Sequence, residues 1–290
     1  MAKNDFYVDP HSASAMWLQS HADDPRAAQI AAAIANQPMA RWFGNWNHDV
    51  HDNVQNFVMG AAAMHKTPIL VSYNIPNRDC GGESAGGADD SKAYRRWVAV
   101  FAQGIGKNPA IVVVEPDSLG QLDCLKSAAQ RNSRLALLKN AVAQLQQSAP
   151  AADVYLDAGN AHWIAADEIA RRLNAAGIAQ AKGFSLNVSN FYNTERSIIY
   201  ANAVNSELEK QFGYTKSVII DTSRNGNGSQ GQWCNPARSK LGSHTGYQSK
   251  NILLAWIKAP GNSDGACGIA PTVKAGVFSP ELAQRLIEGK

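Results

Sequence analysis

No stretch of this chain approaches the roughly 18 consecutive apolar residues that a membrane span needs. Nor is there a basic arm: 27 lysines and arginines against 24 aspartates and glutamates leave a formal charge of only +3. With no basic run and no basic residues interleaved with aromatics, a nucleic-acid partner has no support, and a soluble chain, monomeric by default, is expected. No Ser/Gly/Pro-rich linker and no internal repeat divides the 290 residues. That length can bury a large core, so residues 1–290 are read as one domain. Met1-Ala2-Lys3 lacks the apolar core of a signal peptide, which leaves a cytosolic chain or a mature region given a new start.

Several chemistries are missing too. There is no GxSxG elbow and no Walker loop. The pair His48 and His51 has no third ligand spaced to join it, and SRNGNGSQG follows a strand without leading promptly into a helix. The four cysteines, Cys80, Cys124, Cys234 and Cys267, show no CxxC spacing, which weakens a zinc or redox reading. Buried free thiols compete with disulfides, for which three pairings exist. The Gly/Asn-rich settings of Cys80 and Cys234 favour crosslinks that stiffen loops.

What is present is an alternation. Apolar strand-like runs at RWF (41–43), TPILVSY, IVVVE, VYLD, Gly183 to Val188, SVIID and ILLAWIK are separated by helical patterns. These are AAQIAAAIAN, His51 to His65, Lys92 to Gly104, Leu135 to Gln147, Ala166 to Ala176, Glu195 to Phe212 and a capped helix from about Ser279. Seven strands alternating with helices predict parallel pairing and right-handed crossovers. Polar groups end nearly every strand: Tyr73, Glu115, Asp157, Asn187, Asp221 and Lys258. An open sheet would concentrate them at one switch point, so a distorted (β/α) barrel of seven strands, with its cleft at the carboxyl ends, is the expected fold.

Ile111 to Gly120, IVVVEPDSLG, is the centre of the chemistry. Pro116 ends the buried strand and delivers Asp117 to the following loop. Asp117 reads as a catalytic acid, with an N-cap for a helix at Ser118 or Leu119 as the alternative. The long glycine-rich loop after Tyr73 carries Asp79, either a second carboxylate or an ion pair with Arg78. Asp264 lies in a Gly-flanked turn after the last strand, where turn chemistry competes. Three acids on strand-end loops suit glycoside hydrolysis without a metal. Trp42, Trp46, Trp163, Trp233 and Trp256 fall at strand ends or the loops above them, where flat indoles match a sugar face.

In order along the chain, LVSYNIPNRDC, VVVEPDSLG, DAGNAHW, NVSNFY, IDTSRNGNG, WC and WIKAPGNSDG resemble the secreted cellulases of glycoside hydrolase family 6. The resemblance implies a distorted seven-stranded barrel, inverting hydrolysis of β-1,4-glucan, extracellular location, no cofactor and two disulfides, Cys80–Cys124 and Cys234–Cys267. It implies that Asp117 is the general acid, Asp79 the neighbour that keeps it protonated, and Asp264 another base candidate. Tyr73 would press on the sugar and Ser189 would help place the water. Trp42, Trp163 and Trp256 would be sugar platforms, and Asp157, Arg224, Lys258, Asn187 and Asn262 would bind hydroxyls or tune the carboxylates. Asn262 departs from the usual Glu of the PGESDG pattern, losing a charge that would hold a sugar or Lys258. The short loop between Lys258 and Cys267 implies an open cleft, hence an endoglucanase acting on cellulose or cello-oligosaccharides. A cellobiohydrolase and a noncatalytic glucan-binding barrel are the alternatives.

Overall fold

The computed structural model describes residues 5–290. Its strands are β1 (Arg41–Phe43), β2 (Ile69–Ser72), β3 (Ala110–Val114), β4 (Ala152–Asp157), β5 (Gly183–Leu186), β6 (Ser217–Asp221), β7 (Gly246–Ser249) and β8 (Ile252–Ala255). β1 through β6 and then β8 pair in parallel, each with its neighbour. These are the seven strands expected from the sequence.

The eighth strand was not expected. β7 pairs antiparallel with Ile252–Leu254 of β8, on the edge away from β6. Farther along that edge, Trp256 bridges Met39, just ahead of β1, and the Ala40 amide donates to the Trp256 carbonyl at 2.8 Å. β7 thus takes the part of the β8 edge that β1 would need for full pairing, and among the described residues the curled sheet closes into a barrel through a single backbone bridge. GYQS is short, polar and largely exposed, so it carries no apolar alternation to mark it as a strand.

The helices are α1 (Ala13–Ser20), α2 (Ala27–Ile30, continued by a π turn over Ala31–Ala35), α3 (Val50–Ala63), α4 (Ser91–Ile105), α5 (Ala128–Ser148), α6 (Ala166–Ala175), α7 (Thr194–Phe212) and α8 (Pro280–Glu288). Side chains of Asp49, Asp90, Ser127, Asn193 and Ser279 accept first-turn amides of α3, α4, α5, α7 and α8. These caps start the helices at fixed points after the loops that carry the polar strand ends.

Period-two alternation divides the core. Ile69, Val71, Ile111, Val113, Tyr155, Ile219, Leu253, Ala255 and Ile257 fill the barrel interior. Leu70, Val112, Val114, Val154, Leu156, Phe184, Leu186, Val218, Ile220 and Leu254 face the helices. The same parity puts Trp256 outside. It is fully buried with Ile30, Ile34 and Met39, and its indole N–H donates to the Ser243 carbonyl at 2.9 Å. Trp256 is therefore a packing residue between barrel and α2, and it presents no face to a ligand, contrary to the platform expectation. Trp42, one strand over and on the inner parity, lies edge-on to Tyr73 with ring centroids 5.1 Å apart.

Candidate active site

The carboxyl ends of the strands carry the polar cluster expected of them. β3 stops before Glu115, and both Glu115 (φ 51°) and Asp117 (φ 68°) adopt left-handed backbone. So do Asn77, Asp79, Cys80, Asn187 and Ser189. Such conformations are unfavourable for residues with a Cβ, and their gathering at one end of the barrel marks loops shaped for a task.

Asp117 caps no helix. A short 3-10 turn follows at Gly120–Cys124 with no side-chain cap, and among the described residues no N–H donates to the Asp117 carboxyl. Its own amide instead donates to Asp157 Oδ1 at 2.9 Å. The carboxyl is half-buried. Burial, then the charges of Asp157 and Asp79, push its pKa well above the ordinary carboxylate range, against the opposing pull of Lys258.

Asp79 makes no ion pair with Arg78. It accepts from the Ser84 amide at 2.8 Å and from Gln121 Nε2 at 3.0 Å. Arg78 is buried between aromatic rings, 4.6 Å from the Tyr73 centroid and 5.2 Å from that of Trp46, and donates to the Tyr73 carbonyl. Cys80 is bonded to Cys124, tying the Asp79 loop to the turn after Asp117. Tyr73 is buried at the end of β2, and burial with the nearby Asp117 and Asp79 charges raises its pKa, so the phenol keeps its proton.

Across the cluster, Asp264 is locked. Its Oδ2 accepts from Arg224 Nη1 at 2.8 Å and the Asn235 amide at 3.0 Å, and its Oδ1 lies 3.1 Å from Lys258 Nζ. Burial raises its pKa, but the two cations outweigh that and hold the carboxyl below the usual range. Cys234–Cys267 ties together the two loops that supply Asn235 and Asp264.

Trp256 and three residues expected to bind hydroxyls or tune the carboxylates lie beneath the rim, where Asp157 and Arg224 do the latter. Besides Trp256, Asp157 is 1% exposed, its oxygens occupied by the amides of Asp117 and Gly159 and by Ser185 Oγ. Its role is to hold and charge the Asp117 turn. Arg224, 3% exposed, spends its guanidinium on Asp264 and the Ser189 carbonyl. Asn187 is fully buried, donating to the Tyr192 and Asp221 carbonyls and accepting the Tyr192 amide. The strand-end polar pattern located Asp157 and Asn187, and the family resemblance pointed to Arg224, but neither distinguishes a group under the rim from one on it.

Lys258 keeps one N–H beyond those directed at Asp264 and the Ser263 carbonyl. Asn262 does not hold Lys258. It is half-buried, with Oδ1 unpartnered among the described residues. The Ser189 hydroxyl likewise lacks a protein partner there, while its amide donates to Asp221 Oδ2 at 2.9 Å. Trp163 is 38% exposed and sits against Gly120 and Gly159, where an added Cβ would lie within 3.1 Å of the ring. Glycine at both positions gives the indole its seat.

Sequence reasoning gave no role to Asp221, Asn235 or Gln121. Asp221 is fully buried and accepts the amides of Ser189, Ser223, Ile257 and Lys258, knitting three loops together. Its place at the end of SVIID was the available signal. Asn235 exchanges hydrogen bonds with Asp264 through both backbone and side chain, and nothing in its sequence setting marked it.

The whole chain, residues 1–290, matches the profile of Glycosyl hydrolases family 6. It is 50% identical over 287 residues to Endoglucanase 1 of Streptomyces halstedii, covering 99% of this chain and 89% of that protein. It is 41% identical to Endoglucanase A of Thermobispora bispora, of which it spans 61%. Among solved structures, the endoglucanase Cel6 from Mycobacterium tuberculosis, in complex with methyl-cellobiosyl-4-deoxy-4-thio-β-D-cellobioside, superposes with a TM-score of 0.90 at 37% identity, covering 99% of this chain and 98% of that one. With profile, sequence and architecture in agreement over the full length, the chain belongs to glycosyl hydrolase family 6.

Proposed function

We propose that this chain is a single catalytic domain, an inverting endo-β-1,4-glucanase that cuts internal bonds of cellulose and related β-glucans outside the cell. The observation that carries the reading is Asp117: a carboxyl held protonated by burial and by the neighbouring carboxylates, with no hydrogen-bond donor to it among the described residues, so it has a proton to give. The endoglucanases at 50% and 41% identity support the internal mode of attack.

In the reaction, Asp117 donates its proton to the glycosidic oxygen as that bond breaks. A water, oriented by the Ser189 hydroxyl, adds to the anomeric carbon from the opposite face and passes its proton towards Asp79. Asp264 is a poor base, because both its oxygens are engaged by Arg224, Lys258 and the Asn235 amide. It serves as a fixed anion that keeps Lys258 charged and aimed. Tyr73 and Trp42 form the wall at the bond to be cut, and Trp163 offers a rigid platform beside it.

Viscosity and reducing-sugar release on carboxymethyl cellulose test the mode of attack: rapid thinning per bond cut is expected, whereas slow thinning with steady cellobiose release overturns it. Proton NMR of the first product tests the stereochemistry, an initial α anomer being expected and an initial β anomer excluding inversion.

A further inference from the structure

Glu115 is fully buried two residues before Asp117, and no reacting group needs it. By strand parity it would point into the barrel, but its left-handed backbone turns it towards the helices. There its carboxylate accepts the Asn74 amide at 2.9 and 3.0 Å, the Ile75 amide at 2.9 Å and Tyr94 Oη of α4 at 3.0 Å. The same stretch is gripped by two buried cations. Arg134 of α5 donates from Nη2 to the Pro76 and Asn77 carbonyls, both at 2.9 Å, and Arg78 donates to the Tyr73 carbonyl. Every residue from Tyr73 to Asn77 is therefore held through a backbone group by a buried charge, and Asp79 stands two residues beyond.

We propose that Glu115 is a positioning residue for the carboxyl pair: an anion on the Asp117 turn that grips the root of the Asp79 loop and fixes the two acids relative to each other. The proposal rests on the reading of Asp117 as proton donor. Three donors converge on two oxygens, an arrangement suited to an ionised carboxylate. Burial opposes that charge and moves the Glu115 pKa up to about 7 despite the hydrogen bonds. Tyr73, Arg78, Tyr94 and Arg134 are the titratable groups that act on it. Above that pH the grip is complete; below it the protonated carboxyl must turn an O–H towards Tyr94 and hold the amides through one oxygen.

Glu115→Gln keeps the shape and mimics the protonated form at every pH. The ratio of its kcat to that of the wild type on a soluble cello-oligosaccharide is expected to fall from near one below pH 6 to about one tenth above pH 8, with KM within about twofold. A merely structural defect gives a ratio independent of pH, and that result overturns the proposal. Amide exchange separates this outcome from failure of the glucanase reading. Protection of the Asn74 and Ile75 amides, corrected for intrinsic rates, should rise through about pH 7 in the wild type and stay level in Glu115→Gln; equal profiles overturn the proposal whatever the activity. If Glu115→Gln does not fold, Tyr94→Phe removes one of the hydrogen bonds and should move the protection midpoint to higher pH, an unmoved midpoint again counting against the proposal.

Discussion

Asp117 and Asp264 stand close enough to feel each other's charge, yet their surroundings drive them in opposite directions. Burial raises both, but around Asp117 the neighbours are carboxylates, Asp157 and Asp79, which add to it, as the proposed proton reservoir requires. Around Asp264 they are cations, Arg224 and Lys258, so it is a permanent anion. Residue type is the same on both sides; the sign of the partners sets the function. Stability follows the same split. The lowered pKa of Asp264 contributes stability that is present above its unfolded value and lost as pH falls through the folded one. The raised pKa of Asp117 contributes stability that is present in acid and lost as pH rises towards its folded value. The pH that suits proton donation is thus bounded on the acid side by the ion-paired half of the cleft.

The largest effect should come from emptying the reservoir. Asp117→Ala is expected to lower kcat on cellulose by about 10²–10⁴-fold while cello-oligosaccharide binding persists, measured by steady-state kinetics and calorimetry. Next is the anion: Asp264→Ala leaves two buried cations unpaired and should cost about 3–5 kcal/mol of stability by urea unfolding at pH 7, with the deficit shrinking as pH falls and the wild-type carboxyl protonates. Asp79→Asn removes one of the charges that raise Asp117, so Asp117 ionises more easily and the alkaline limb of the kcat/KM profile should move down by about one pH unit. An unmoved limb would break the comparison, since Asp79 would then not be what keeps the acid protonated. The smallest effects distinguish the tryptophans. Trp163→Ala should raise KM about fivefold with little change in melting temperature, whereas Trp256→Phe should cost about 1 kcal/mol of stability and leave KM alone.

The barrel and the placement of the three acids were legible because both follow from local rules. β-branched runs alternating with helical patterns give parallel pairing, and a proline after Glu115 gives a strand end. The side of the strand was legible too, by counting: Trp256 sits one residue from Ile257 and so must face the helices, but its place at a strand end and the family resemblance drew it into the cleft. Asp157 and Asn187 are a different case. Whether a polar strand end meets solvent or supports its neighbour depends on loops tens of residues away, such as the Asp117 turn resting its amide on Asp157. Periodicity within a strand carries no information about that. Gly246–Ser249 was invisible for the opposite reason, since an exposed polar edge strand is specified by its partner and not by its own pattern.

The single bridge between Met39 and Trp256 gives the ring a seam. Elsewhere each strand must break several pairings to part from its neighbour, but here one backbone bridge, the Trp42 indole reaching the Ile257 carbonyl at 2.8 Å and the Thr245 hydroxyl reaching the Pro38 carbonyl at 2.9 Å do the joining among the described residues. Trp42 lies edge-on to Tyr73, so the lightest stitch in the cylinder lies next to the wall proposed to face the bond to be cut. On the proposed reading, a glucan entering the cleft would press on the part of the wall with the fewest strand pairings.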